Sequence, residues 1–245
     1  MEIKENERID DLQFKGLKII QNTENFCFGV DSILLTDFAK KIKNGCEALD
    51  LGTGTGVIAI LLAAKTGLKH IIGVEKQEEM AELATRNVKL NNLENKIEIV
   101  NTDILDLCKL YPNDSFDVVV TNPPYKKKDT GVINQTEKKY LARHELTATL
   151  KDFIKVSKNM LKEKGEFYMV HKPERLVDIL SLMRTNNLEP KELRFVFSNV
   201  NKEPSLVLVK GVKSAKPFLK IEKNLYIYDE NGNYTEEINK IYNRE

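Results

Sequence analysis

Four consecutive residues, Asn122-Pro123-Pro124-Tyr125, carry the most specific chemistry in the sequence. An aryl amine such as adenine N6 is a poor nucleophile because its lone pair is delocalised into the ring. A site can counter this by accepting both amino hydrogens, which favours a more tetrahedral nitrogen with its lone pair aimed at a methyl donor. The Asn122 side-chain oxygen and the Pro123 carbonyl suit that task. The amine becomes far more acidic once methylated, so no strong base is needed beforehand. Tyr125 offers a ring on which a base can stack, an interaction worth roughly 1–3 kcal/mol. The paired prolines restrict the backbone and hold the carbonyl in place. The bland alternative is a rigid proline turn.

A second candidate is the loop Asp50-Leu51-Gly52-Thr53-Gly54-Thr55-Gly56. Glycines let a chain turn sharply and approach a ligand with its backbone. In open α/β sheets, ligands bind at the carboxyl ends of the strands, where this loop falls. The spacing G-x-G-x-G differs from the dinucleotide fingerprint G-x-G-x-x-G. A structural turn and a nicotinamide or flavin site are the competing readings. Glu75 follows about 20 residues later, where a carboxylate can accept both ribose hydroxyl protons. Asp103, followed by Ile104, ends the next strand, where a carboxylate can accept from an adenine amino group. Their alternatives are a solvated strand end for Glu75 and a helix N-cap for Asp103. Ribose and adenine recognition fits several adenosine cofactors and selects none.

These residues need a scaffold that brings strand ends together. Apolar runs at 46–51, 70–74, 97–100, 116–120 and 166–170 read as strands, and 57–66, 78–91 and 146–162 as helices. Gly67 is expected as a helix C-cap, Gly165 as the end of the third of these helices, and Pro173 in the first turn of the next. The alternation implies a mostly parallel twisted sheet with helices on both faces. Segments 192–198 and 205–212 have no helix between them and predict an antiparallel hairpin on the sheet edge. Asp31 is expected to N-cap a helix through Phe38. The division that follows is an N-terminal extension over 1–45 packing on the core, a catalytic core over 46–215, and a polar tail over 216–245 that belongs to the same domain. The tail is strand-like at 225–228.

The 245 residues suffice for one large domain. No apolar run reaches the roughly 18 residues of a membrane span, and the N-terminus lacks the basic start and apolar stretch of a signal peptide. Three scattered cysteines, Cys27, Cys46 and Cys108, suit a reducing compartment and suggest neither disulfides nor a metal site. A cytoplasmic protein without membrane, metal or obligatory protein partner is expected. Net charge is only +1, but residues 122–144 hold six basic and two acidic side chains, so that segment carries +4 and the remainder −3. A solvated lysine-rich loop is the alternative to a nucleic-acid contact.

The loop Asp50–Gly56 together with Asn122–Tyr125 resembles the class I S-adenosylmethionine-dependent methyltransferases of the N6-adenine and N5-glutamine groups. Phe28-Gly29-Val30-Asp31-Ser32-Ile33-Leu34-Leu35, Ala142-Arg143-His144-Glu145 and Tyr226-Ile227-Tyr228-Asp229 are similar to the bacterial enzymes that methylate adenine N6 beside the anticodon of a valine tRNA. That likeness spans about residues 7–242. It implies a Rossmann-like fold and S-adenosylmethionine as cofactor. Gly52, Gly54 and Gly56 would line its methionine side, Glu75 would bind its ribose and Asp103 its adenine, with Asp50, Thr53, Ile104 and Asn122 also among the cofactor-binding residues. Phe28 and Asp31 would close the site from the N-terminal segment, core packing and helix capping being equally good readings. Pro124, Lys126, Lys127, Lys128 and Arg143 would meet the tRNA. A protein glutamine methyltransferase is the runner-up, although no sizeable N-terminal helical domain is evident. A nicotinamide oxidoreductase and a catalytically silent RNA-binding protein are the readings from other classes.

Overall fold

A computed structural model of the chain describes residues 3–24, 28–125 and 148–244. Lys126, Lys127, Lys128, Lys138, Lys139, Arg143 and His144 lie outside the described residues, so their expected roles are carried by the sequence alone.

Five parallel strands form the centre of the molecule: β3 (Glu47–Leu51), β4 (His70–Glu75), β5 (Ile97–Asn101), β6 (Phe116–Thr121) and β7 (Leu161–His171). Their order is β5-β4-β3-β6-β7. Parallel strands buried on both faces read as continuous apolar runs, and successive residues here serve opposite faces. Ala48, Ile71, Val118 and Val120 join one cluster, which includes α1 (Val30–Phe38) and α2 (Val57–Lys65). Leu49, Ile72, Val74 and Val119 join another, with Phe153 and Ile154 of α4 (Leu150–Met160) and Ile179 and Met183 of α5 (Leu176–Thr185). Between β4 and β5 runs α3 (Glu78–Leu90).

An antiparallel pair extends the sheet beyond β7. Strand β9 (Pro204–Lys213) lies between β7 and β8 (Leu188–Phe197). The expected hairpin is present, but it does not form the edge. Short parallel strands β10 (Lys220–Ile221) and β11 (Leu225–Tyr226) cover the outer side of β8, which satisfies groups that an open edge would expose. After them comes α6 (Glu236–Ile241), N-capped by Thr235, with Ile238 and Ile241 buried.

Three local expectations need correction. Helix α4 ends at Met160, and β7 begins at once at Leu161. Gly165 is therefore a strand residue at an irregularity in the β6–β7 register, where an added Cβ would lie 2.8 Å from the Lys162 carbonyl oxygen. Gly67 is not a left-handed cap, since Thr66 closes α2 in an extended conformation. A Cβ at Gly67 would lie 2.1 Å from Asn44 Oδ1, so the exposed Asn44 side chain would have to turn away. The third concerns Asp31: Gly29 is the N-cap of α1 and Asp31 lies within its first turn.

The N-terminal segment contains a hairpin absent from the sequence reading, β1 (Glu7–Asp11) with β2 (Lys18–Asn22). Two asparagines one turn apart, Asn87 on α3 and Asn91 at its C-cap, dock it. Asn87 accepts from Ile20 N–H at 2.6 Å and donates to Ile20 C=O at 3.0 Å, and Asn91 does the same for Lys18 at 2.9 and 2.7 Å. Asn87 also donates to the Thr55 carbonyl, which ties the hairpin to the glycine loop. On the hairpin's other side lies an open groove of about 460 Å³ lined by Asp11, Gln21, Phe28, Tyr242 and Arg244 among others. Arg244 lies 5.0 Å from the Tyr234 and Tyr242 ring centres and donates to Gln13. Tyr228, Tyr234 and Tyr242 stack in sequence. No helix of the described residues is long and apolar enough to cross a membrane.

Candidate active site

Strand register assembles the site. Leu51 pairs with both Val74 and Thr121, and Glu75 with Asn101. The residues that follow these positions therefore meet along one edge of the sheet. Thr121 Oγ1 donates to the Leu51 carbonyl at 2.9 Å, so the segment entering Asn122 is fastened to the segment entering the glycine loop.

The loop is held from below and from the side. Gly52 and Thr53 N–H both donate to the Val74 carbonyl at 2.9 Å. Gly52, Gly54 and Gly56 have φ of +72°, +56° and +83°, a region that disfavours other residues. At Gly54 an added Cβ would meet nothing within 4 Å, so its requirement for glycine is conformational. Glu75, buried, accepts from Gly54 N–H at 3.0 Å and from Gln77 N–H at 2.9 Å. Asp103 accepts from Leu105 N–H at 3.0 Å as the N-cap of a 3-10 turn and pairs with Lys76 at 3.1 Å. Ile104, which follows, is buried against the face that includes Val74.

Asp50 has no exposure. Its Oδ2 accepts from Thr53 at 2.6 Å. Burial pushes its carboxyl up to about 7; the Thr53 bond opposes this, the nearby Glu75 charge adds to it, and a backbone hydrogen bond from Ala59 opposes it. Asp50 therefore braces the loop from inside the fold, and the room for a ligand lies on the open side of the loop at Gly54. Gln77 Oε1 is buried without a partner.

Asn122 and Tyr125 meet Asp31. The Asp31 Oδ2 accepts from Tyr125 Oη at 2.6 Å and from Asn122 Nδ2 at 3.2 Å, and its Oδ1 accepts from Ser32 N–H at 3.0 Å. Burial, then the Asp31 charge, raises the Tyr125 phenol well above its usual range, so it remains a donor. The Tyr125 ring lies 5.2 Å from the His171 ring and 5.3 Å from Lys172 Nζ. Pro123 is buried and Pro124 exposed. Phe28 is half-buried, its N–H donating to Gln21 at 2.8 Å, and it lines the groove beside the N-terminal hairpin.

A methyltransferase small domain matches residues 29–187, about two thirds of the chain, including every element just described from α1 to α5. The chain belongs to the methyltransferase small domain family. Relatives in this family include the tRNA1(Val) (adenine(37)-N6)-methyltransferase of Porphyromonas gingivalis W83, 32% identical over 81% of this chain and 79% of that protein. The corresponding Histophilus somni 129Pt protein is 29% identical over 93% of both chains. Among solved structures, a "predicted O-methyltransferase" of Agrobacterium tumefaciens superimposes with a TM-score of 0.70 at 19% identity, covering 87% of this chain and 96% of that one. M. jannaschii TYW2, solved in complex with AdoMet, gives 0.59 at 18% identity, with 86% and 88% covered. At those identities the two structures show the shared methyltransferase fold.

Within this methyltransferase fold, Asp50, Gly52, Thr53, Gly54, Gly56 and Glu75 come together around the loop, and Asn122, Tyr125 and Asp31 form a second cluster. Sequence reasoning missed His171 and Gly29. His171 is fully buried and its Nδ1 accepts from Lys172 N–H at 2.7 Å, which puts the proton on an Nε2 that has no hydrogen-bond acceptor. Burial, reinforced by Arg175, lowers its pKa to about 4. Nothing in the local sequence around His171 announces this. Gly29 did carry a signal, as a glycine two residues before an acid, because its missing Cβ leaves room for the Asp31 carboxylate.

Proposed function

We propose that this protein transfers a methyl group from S-adenosylmethionine to the N6 amino group of an adenine in tRNA, in the anticodon loop of a valine tRNA. The observation that carries the proposal is the juxtaposition of the glycine loop with Asn122–Tyr125 at neighbouring strand ends, fastened by Thr121 and Leu51. Membership of a methyltransferase family and the names of the relatives support the reaction and the substrate.

The cofactor supplies an electrophilic methyl group. The open space at Gly54 fits its methionine side, where Asp50, Gly52, Thr53 and Gly56 complete the loop. Glu75 would hold the ribose hydroxyls, with Asp103 and Ile104 at the adenine. Asn122 Oδ1 and the Pro123 carbonyl accept the two amino hydrogens of the target adenine and so localise its lone pair. Positioning of this kind can contribute about 7–11 kcal/mol. Tyr125 and Pro124 flank the base. A base that reacts must leave its stack, and anticodon-loop bases are already partly unpaired. Lys126, Lys127 and Lys128 follow Tyr125 directly, which puts cations within a few residues of the target and, with Arg143, suits them to the surrounding phosphates.

The test is tritiated methyl transfer to total tRNA followed by nucleoside analysis. N6-methyladenosine in a valine tRNA is the expected product. Efficient methylation of a glutamine peptide, with none of tRNA, would replace this reading by the protein-modifying one.

A further inference from the structure

The polarity of a carboxamide is ambiguous: rotated by half a turn, Asn122 would present hydrogens to the amine instead of an oxygen, and its assistance would become repulsion. Something must choose between the two orientations. Asp31 is well suited to choose. Its carboxylate is buried, belongs to a different element, and can only accept hydrogen bonds. It accepts from Asn122 Nδ2 at 3.2 Å, so the amide nitrogen faces Asp31 and the oxygen faces away from it.

The carboxylate is itself over-determined. Tyr125 Oη donates to the same oxygen, Ser32 N–H donates to the other, and its place in the first turn of α1 favours negative charge. Gly29 is needed for this arrangement, because a Cβ there would lie 2.7 Å from Asp31 Oδ1. Tyr125 is in turn backed by the buried His171 ring at 5.2 Å. We propose that Asp31 is a positioning residue that fixes the orientation of the Asn122 amide, with Gly29 opening the space that its carboxylate occupies. The inference rests on Asn122 as the acceptor of the amine hydrogens. Asp31 acts chiefly through that side chain, and to a lesser extent through the Tyr125 hydroxyl that it also holds.

The experiment is a double-mutant cycle in the full chain, measuring kcat, KM for S-adenosylmethionine and the cofactor Kd. Asp31→Asn replaces an obligate acceptor by a group that can donate or accept, so the choice of orientation is lost. The expected result is a fall in kcat of about 10–100-fold, with cofactor Kd changed less than about 3-fold. In an Asn122→Ala background the same substitution should lower kcat far less, by no more than about 3-fold through its remaining bond to Tyr125. Gly29→Ala, which displaces the carboxylate without altering its charge, should lower kcat in the same non-additive way, and it carries the test if Asp31→Asn fails to fold. Equal losses in both backgrounds would make Asp31 a purely structural residue and overturn the proposal. Full activity of Asp31→Asn would overturn it as well. Full activity of Asn122→Ala is a different outcome, which removes the amine-acceptor mechanism and this inference with it.

Discussion

The two halves of the proposed active site are built over very different distances along the chain. Around the glycine loop, Thr53 meets Asp50 three residues away, Gln77 meets Glu75 two away, and Gly54 meets Glu75 twenty-one away. In the amine half, Asp31 reaches Asn122 and Tyr125 across 91 and 94 residues. The first half is closed by bonds within one loop and the strand end beside it; the second is closed only when the N-terminal segment folds back on the segment after β6. A site assembled locally depends on its own turn, whereas one assembled across the chain depends on the packing of the whole domain.

The strongest way to break this comparison is Asn122→Ala. It should lower kcat by about 10²–10³ and leave cofactor affinity nearly unchanged, as calorimetry and steady-state kinetics would show. A parallel loss of cofactor binding would mean that the two halves are not separable. Gly54→Val tests the other half. A branched side chain at φ +56° is strained and occupies the space above the loop, so cofactor affinity should fall by at least about 10-fold while the protein stays folded. Unchanged affinity would place the cofactor elsewhere.

Acidity sharpens the contrast, because the two halves respond to pH with opposite signs. Buried Asp50, raised from 3.8 to about 7, keeps its proton in the folded state where the unfolded chain has lost it. Its contribution is complete below about pH 4 and disappears as pH rises to 7. Buried His171, lowered from 6.5 to about 4, stays neutral when the unfolded chain would take up a proton. Its contribution is complete above about pH 6.5 and disappears as pH falls to 4. Melting curves of the cofactor-free protein should therefore show that Asp50→Asn gains relative stability toward pH 8, whereas His171→Leu gains it toward pH 4. Matching pH profiles for the two variants would contradict the assignment of these groups. The smallest effect is expected outside both halves. Arg244→Ala removes two cation–π contacts worth about 0.5–1 kcal/mol each, so the melting temperature should drop by a few degrees with kcat intact.

Sequence legibility follows the same division. The loop, Glu75 and the strands leading to them announce themselves, because glycine spacing and apolar runs are local signals. Asn122–Tyr125 stands out in the sequence, and Asp31 does so both as a residue closing the site and as a helix cap, but the contact between them is not local: it forms only when the fold brings the segment after β6 to α1. The N-terminal hairpin was missed because its edge partners are asparagine side chains on a helix and at its C-cap, Asn87 and Asn91, which no strand pattern can reveal. The boundary at Met160–Leu161 was missed for a related reason. Helix and strand abut there without a turn signal, and Gly165, the nearest punctuation, serves a register irregularity instead.

The groove between the N-terminal hairpin and Arg244 carries a consequence for how the protein is made. Gln13 and Arg244 touch, yet 231 residues separate them. At about 5–20 residues per second of synthesis, the hairpin would wait some tens of seconds on the ribosome before the tyrosines and the arginine that complete its groove exist. During that interval Ile20 can already dock on α3, but the surface around Phe28 lacks its C-terminal wall. This side of the molecule, like the outer strands β8 to β11 of the sheet, is completed only after most of the chain exists.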